Sequence, residues 1–155
     1  MSNLHEDQMA LDIRGVRSKN SGAGFFKGDV FNKDWVIEGK SSLDPKMLVT
    51  VGLLNEAVRE AKTRHKKPAI GLAYITGDPL VPRGLTLQKY CYMVPLDRGP
   101  TKAVPQKKIL IDLSEPVEEK TYRFEITDPM VSEWWRVLKV ETTRKRLGKP
   151  SSRLV

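Results

Sequence analysis

Between Gly28 and Ser41 the chain reads Gly-Asp-Val-Phe-Asn-Lys-Asp-Trp-Val-Ile-Glu-Gly-Lys-Ser. Two apolar runs flank the turn signal Asn32-Lys33-Asp34, which predicts a hairpin. Asp29 begins its first strand, and Trp35-Val36-Ile37 leads a second strand that should lie centrally in a sheet. Asp44-Pro45 then reads as an N-cap followed by proline at the first helical position. Met47, Val51, Leu54, Val58 and Ala61 continue as one apolar stripe, so a helix is expected from about Pro45 to Arg64. Ala69 to Ile75 follows as a buried strand. A strand, a long helix and a second strand make a crossover unit, which places both strands in one sheet. These constraints define an α/β fold: a mixed sheet of about five strands with a long packed helix.

The same stretch carries the candidate chemistry. Glu38 and Lys40 stand at i and i+2 on the second strand and share a face. With Asp29 they bring two carboxylates and one ammonium toward one edge of a small sheet. Carboxylate oxygens suit a hard divalent ion such as Mg²⁺. A neighbouring lysine places positive charge where an attacking hydroxide or a pentavalent phosphate would form. Glu-x-Lys on a strand is also what a solvated face looks like. The ordered set around it separates the two readings: the Ser21-Gly22-Ala23-Gly24 loop, Asp29, the Glu-x-Lys strand, a helix and an apolar strand.

That set resembles the PD-(D/E)xK nuclease superfamily, with Gly28 in place of the proline before the aspartate. Ser21-Gly22-Ala23-Gly24, Lys27-Gly28-Asp29-Val30 and Ile37-Glu38-Gly39-Lys40-Ser41 are most similar to Holliday-junction resolvases and phage-encoded resolvase-like endonucleases. The resemblance covers about residues 4 to 75. It implies a restriction-endonuclease-like core and metal-dependent cleavage of DNA phosphodiesters by a homodimer, with branched or four-way-junction DNA as substrate. Asp29, Glu38 and the Gly39 carbonyl would hold Mg²⁺, with Mn²⁺ as a substitute, and Lys40 would orient or activate the attacking water. In this family a glutamate on the first helix reaches the metal. Glu6 lies 15 residues before Ser21 and fits that place, with Asp7 as the competing candidate. A serine near the loop also contributes in archaeal resolvases, and Ser21 or Ser18 would take that part.

The net charge of +8 and a pI near 9.6 favour a polyanionic partner. The candidate DNA contacts are Arg14, Arg17, Lys19, Ser21, Gly22, Lys27 and Lys46, joined by Arg144, Lys145 and Arg146 near the C-terminus. Glycines let loop N–H groups approach a phosphate closely. One cysteine, Cys91, excludes an internal disulfide and a cysteine-rich zinc site, and it reads as a buried structural thiol. His5 and His65 lack metal-ligand spacing. No long apolar run suggests a membrane span or a secretory signal, so a reducing cytoplasm, in a bacterial host if the chain is phage-encoded, is the expected compartment.

Residues 3 to 12 predict a short helix. Lys89–Pro95, Lys108–Leu113 and Thr121–Ile126 predict strands, the last two as a hairpin, and residues 97–107 a flexible loop. Asp128-Pro129 repeats the helix-start signal, so a C-terminal helix carrying Trp134 and Trp135 is expected, with core packing of both as the default and one covering the sheet while the other meets a partner subunit or DNA as the alternative. Residues 1–141 then form one nuclease domain and 142–155 a basic tail. A non-catalytic basic nucleic-acid-binding protein is the alternative. A small viral structural protein that packs nucleic acid is a third reading.

Overall fold

The computed structural model describes residues 4–17, 28–77 and 84–148, with the backbone alone described for 4–7, 16–17 and 28–29. In chain order the elements are α1 (Leu4–Ile13), β1 (Val16–Arg17), β2 (Gly28–Phe31), β3 (Trp35–Ser42), β4 (Lys46–Thr50) and α2 (Val51–Thr63). Then come β5 (Lys67–Gly77), β6 (Leu85–Leu96), β7 (Lys108–Asp112), β8 (Thr121–Arg123), β9 (Trp134–Leu138) and α3 (Val140–Leu147). A seven-stranded sheet runs β1-β2-β3-β5-β6-β9-β8. β3 and β5 are parallel, and the other neighbours are antiparallel. The fold is therefore α/β with a mixed sheet, two strands wider than expected.

Each face of the sheet has its own core. On one, α2 contributes Leu53, Leu54, Ala57 and Val58, packed with Ile70 and Leu72 of β5, Cys91 and Met93 of β6, and Trp135 and Val137 of β9. A separate two-stranded ribbon, β4 with β7, adds Met47, Val49, Ile109 and Ile111 to that face. On the other face, Met9 and Ile13 of α1 and Leu147 of α3 meet Ile37, Ala73, Tyr92 and Leu138. Both cores follow the period-2 alternation of the strands.

The helix expected from Pro45 begins only at Val51. Asp44 Oδ1 accepts the Lys46 N–H at 3.0 Å, which closes a turn. Lys46 to Val49 then alternates exposed and buried, as a half-buried strand does. Thr50 is the true N-cap, its hydroxyl accepting the Leu53 N–H at 3.3 Å. An Asp-Pro turn and an Asp-Pro helix start use the same side-chain acceptor, so the sequence signal is shared. The second Asp-Pro behaves alike: Asp128 Oδ1 accepts from Met130 N at 2.9 Å, and Trp134–Leu138 is strand, not helix. Alternation puts the adjacent tryptophans on opposite faces, and both are buried. Trp135 enters the α2-side core, whereas Trp134 lies against Gly99 and stacks with Arg123, whose guanidinium carbon is 5.0 Å from the ring centroid.

The expected hairpin of residues 108–126 is absent, because β7 pairs with β4 and β8 with β9. The loop ahead of β7 is tied down: Gln106 forms a bridge to Phe124 and accepts the Glu125 N–H at 2.8 Å. The C-terminal helix lies at Val140–Leu147, beyond the expected position, and includes part of the segment read as a tail. Glu119 supplies carboxylate oxygens to the Lys139 N–H and the Thr142 hydroxyl at its start. Gly148 ends it where a β-carbon would lie 2.6 Å from the Arg144 carbonyl oxygen and 2.7 Å from that of Asp12. No helix among the described residues is long and apolar enough to cross a membrane.

Candidate active site

The β2–β3 hairpin forms as its sequence predicts. Asn32 Oδ1 accepts the N–H groups of Asp34 and Trp35 at 2.9 and 2.8 Å, and the Asn32 N–H bonds the Trp35 carbonyl at 3.0 Å. This turn sets the register Val30↔Ile37, Asp29↔Glu38 and Gly28↔Gly39. Asp29 and Glu38 therefore occupy directly opposed positions, and opposed positions of an antiparallel pair share a face.

The parallel pairing with β5 identifies that face. Glu38 is registered with Ile70 and Lys40 with Leu72, and both partners belong to the core under α2. Ile37, between them, belongs to the opposite core. Glu38 is a buried carboxylate, 7% exposed, and Lys40 is half-buried. β2 begins opposite Gly39, so Lys40, Ser41 and Ser42 extend past it, paired with β5 alone.

Of the other candidates, Glu6 and Asp7 lie on α1, whose apolar residues pack on the face opposite Glu38, and their side chains are not described. Arg17 has a described backbone only, and Lys19, Ser21, Gly22 and Lys27 lie outside the described residues, as do Ser18 and residues 149–155. Lys46 is exposed, but on β4 and not on a helix. Arg14, Lys145 and Arg146 are exposed.

Arg144, read in the sequence as a DNA contact, also pairs within the fold. Its Nε donates to Asp12 Oδ1 at 3.1 Å, while the buried Tyr92 hydroxyl donates to Asp12 Oδ2 at 2.6 Å. Gln8 Nε2 adds a third donor to Asp12 Oδ1 at 3.3 Å. Burial, and next the negative charge of Asp12, push the Tyr90 phenol up to about 12; burial, then the Asp12 hydrogen bond, raise Tyr92 further in the same direction. This network joins α1, β6 and α3. Sequence reasoning missed Asp12 because an aspartate near a helix end gives no sign of burial.

Two opposed carboxylate positions, one of them buried, with a backbone carbonyl beside them at Gly39, are hard oxygen donors of the kind Mg²⁺ takes. Among the described residues no three His, Cys, Asp or Glu side chains gather as a complete set of metal ligands. Comparison of the chain with known protein families, with curated proteins and with solved structures finds no match.

Proposed function

We propose that the protein is a metal-dependent DNA endonuclease with a restriction-endonuclease-like core, selective for branched DNA and active as a homodimer. One observation carries the reading: Asp29 and Glu38 stand at opposed positions of β2 and β3, with Lys40 two residues on along the face that α2 covers. The order of parts also supports it, since Asp29, Glu38-x-Lys40, the helix and the next apolar strand follow one another through one crossover unit.

Asp29 and Glu38, with the Gly39 carbonyl, would hold Mg²⁺ or Mn²⁺. When bound, the ion supplies a Lewis acid for the scissile phosphate and a lower pKa for an attacking water. Glu38, buried in the sheet, keeps its carboxylate positioned without reorganisation at the moment of reaction. Lys40 places an ammonium beside the phosphate as negative charge accumulates on its oxygens, and it orients the incoming water. The water oxygen joins phosphorus as the water gives up a proton to solvent, one phosphorus–oxygen ester bond breaks, and the leaving oxygen takes up a proton. Two symmetric nicks across a junction require two such sites, which a C₂ dimer supplies.

The test is cleavage of end-labelled four-way junction, nicked and linear duplex DNA with Mg²⁺, Mn²⁺ or EDTA. Paired nicks in the junction, abolished by EDTA and reduced about 10²-fold or more in Glu38→Ala, are the expected result. Equal cutting of all three substrates removes the junction selectivity. Tight binding with no metal-dependent product removes the enzyme and leaves a binding protein.

A further inference from the structure

Among the described residues, the C-terminal ends of the three helices meet at the β2–β3 turn. Asn32 Nδ2 donates to the carbonyls of Ile13 at 3.0 Å and Leu147 at 2.7 Å, at the ends of α1 and α3. Lys66, just past α2, donates from Nζ to the carbonyls of Asn32 at 2.6 Å and Lys33 at 3.0 Å. The Lys67 N–H bonds the Asp34 carbonyl at 2.8 Å. Arg14, Lys33, His65, Lys67 and Arg146 are each exposed within one or two residues of this node. Carboxylates at this end include Asp34, on the turn itself, and Glu60, which pairs with Arg64 at 3.1 Å.

Two of those basic residues occupy backbone positions that favour glycine. Arg14 has φ 53° and His65 φ 55°, and they are the only non-glycine residues with positive φ among those described. Both sit in the left-handed position of a helix-ending motif. At α1, Arg14 N bonds the Leu11 carbonyl and Gly15 N the Ala10 carbonyl. At α2, His65 N bonds the Lys62 carbonyl and Lys66 N the Ala61 carbonyl. Glycine would relieve both conformations. It is used one residue later, at Gly15, where a β-carbon would lie 2.2 Å from the Phe31 carbonyl oxygen. Both C′ positions thus carry an exposed side chain where glycine would be the relaxed residue.

The charge distribution agrees. Residues 109–133 hold seven acidic and two basic side chains, a net of −5, so the rest of the chain carries +13. We infer that the convergent helix ends form a second DNA contact, a phosphate-backbone clamp of Arg14, Lys33, His65, Lys67 and Arg146. It begins at Trp35, about 10 Å along β3 from Glu38. Only the identity of the polyanion rests on the nuclease reading. Such a clamp holds the duplex beside the site without reading sequence. It differs from simple neutralisation of helix dipoles, which predicts a stability effect and no DNA effect.

The experiment measures binding of labelled four-way-junction DNA to the full chain in EDTA across a salt series, with urea denaturation in parallel. The variants are Arg14→Gly, the pair Lys33→Gln with Lys67→Gln, and Lys108→Gln as a control beside the acidic flank. Arg14→Gly should be at least as stable as the parent yet bind several-fold more weakly, with the salt slope lower by about one per phosphate contact removed. The double variant should lose about twice that slope. Binding unchanged, or weakened only as in Lys108→Gln, overturns the clamp. Cleavage is scored separately with Glu38→Ala. Weakened binding without any cleavage keeps the clamp and removes the nuclease; cleavage with unaltered variant binding does the reverse.

Discussion

Asp12 is 4% exposed, and its two oxygens receive Tyr92, Arg144 and Gln8. A buried carboxylate persists only when its lone pairs are satisfied. Tyr92→Phe removes one donor and leaves that oxygen short, so it should cost about 1–3 kcal/mol in urea denaturation near neutral pH. The same substitution should change the pH dependence. Burial, and then the bond to Asp12, raise the Tyr92 phenol above its ordinary value, and Tyr90 is pushed up to about 12. A raised pKa means that the unfolded chain loses protons first. Stability is then full below about pH 10 and declines as pH rises through the alkaline range. Denaturation midpoints measured between neutral pH and the alkaline limit should fall less steeply in Tyr92→Phe; an unchanged slope would mean the phenol is not raised in the native protein. Cys91, beside it, is buried, and burial pushes its thiol up to about 12. Alkylation at neutral pH should therefore be negligible in the native protein and rapid in urea.

The elements show which sequence signals were sufficient. The β2–β3 hairpin, β5 and the α1 helix stand where periodicity and turn chemistry put them, because each signal is local. Helix starts were not legible: Asp44 and Asp128 each carry an acceptor, but each spends it on a turn. Met47 and Val51 are four apart by coincidence, one on a strand and one on a helix. Thr50→Ala should cost about 1 kcal/mol, and Asp44→Ala within about 0.5, as for an exposed turn. Chemical denaturation of the two variants separates them; a larger loss at Asp44 would restore the longer helix. The pairing of β4 with β7 is also non-local, joining residues some sixty apart, and nothing short-range announces it. Of the candidate site, the hairpin was readable but its register was not: a turn of Asn32 to Asp34 alone would pair Asp29 with Ile37, whereas the connection includes Trp35 and sets Asp29 opposite Glu38. The engagement of Arg144 by Asp12 depends on how α1 and α3 pack, which no spacing reveals.

For the molecule as a whole, charge is uneven along the chain: residues 109–133 hold seven acidic and two basic side chains, whereas the full chain carries +8. On the proposed reading a divalent ion binds the opposed carboxylate positions of the hairpin, and the acidic flank of residues 109–133 is the competing place to test. Linkage distinguishes them without any measure of activity. An ion that binds the native state alone stabilises it by RT ln(1 + [ion]/Kd), about 1.4 kcal/mol at ten times Kd. For a chain of this size that is about 3–6 °C in Tm. Glu38→Gln removes a charge and an anionic ligand from the hairpin while keeping nearly the same shape, so the Mg²⁺-induced rise should disappear. Asp112→Asn should keep it. Asp112 is held below the usual carboxylate range by hydrogen bonds from Ser114, and it is already satisfied by that turn. A rise that survives Glu38→Gln but vanishes in Asp112→Asn would move the ion to the flank, and the paired positions on β2 and β3 would then be structural.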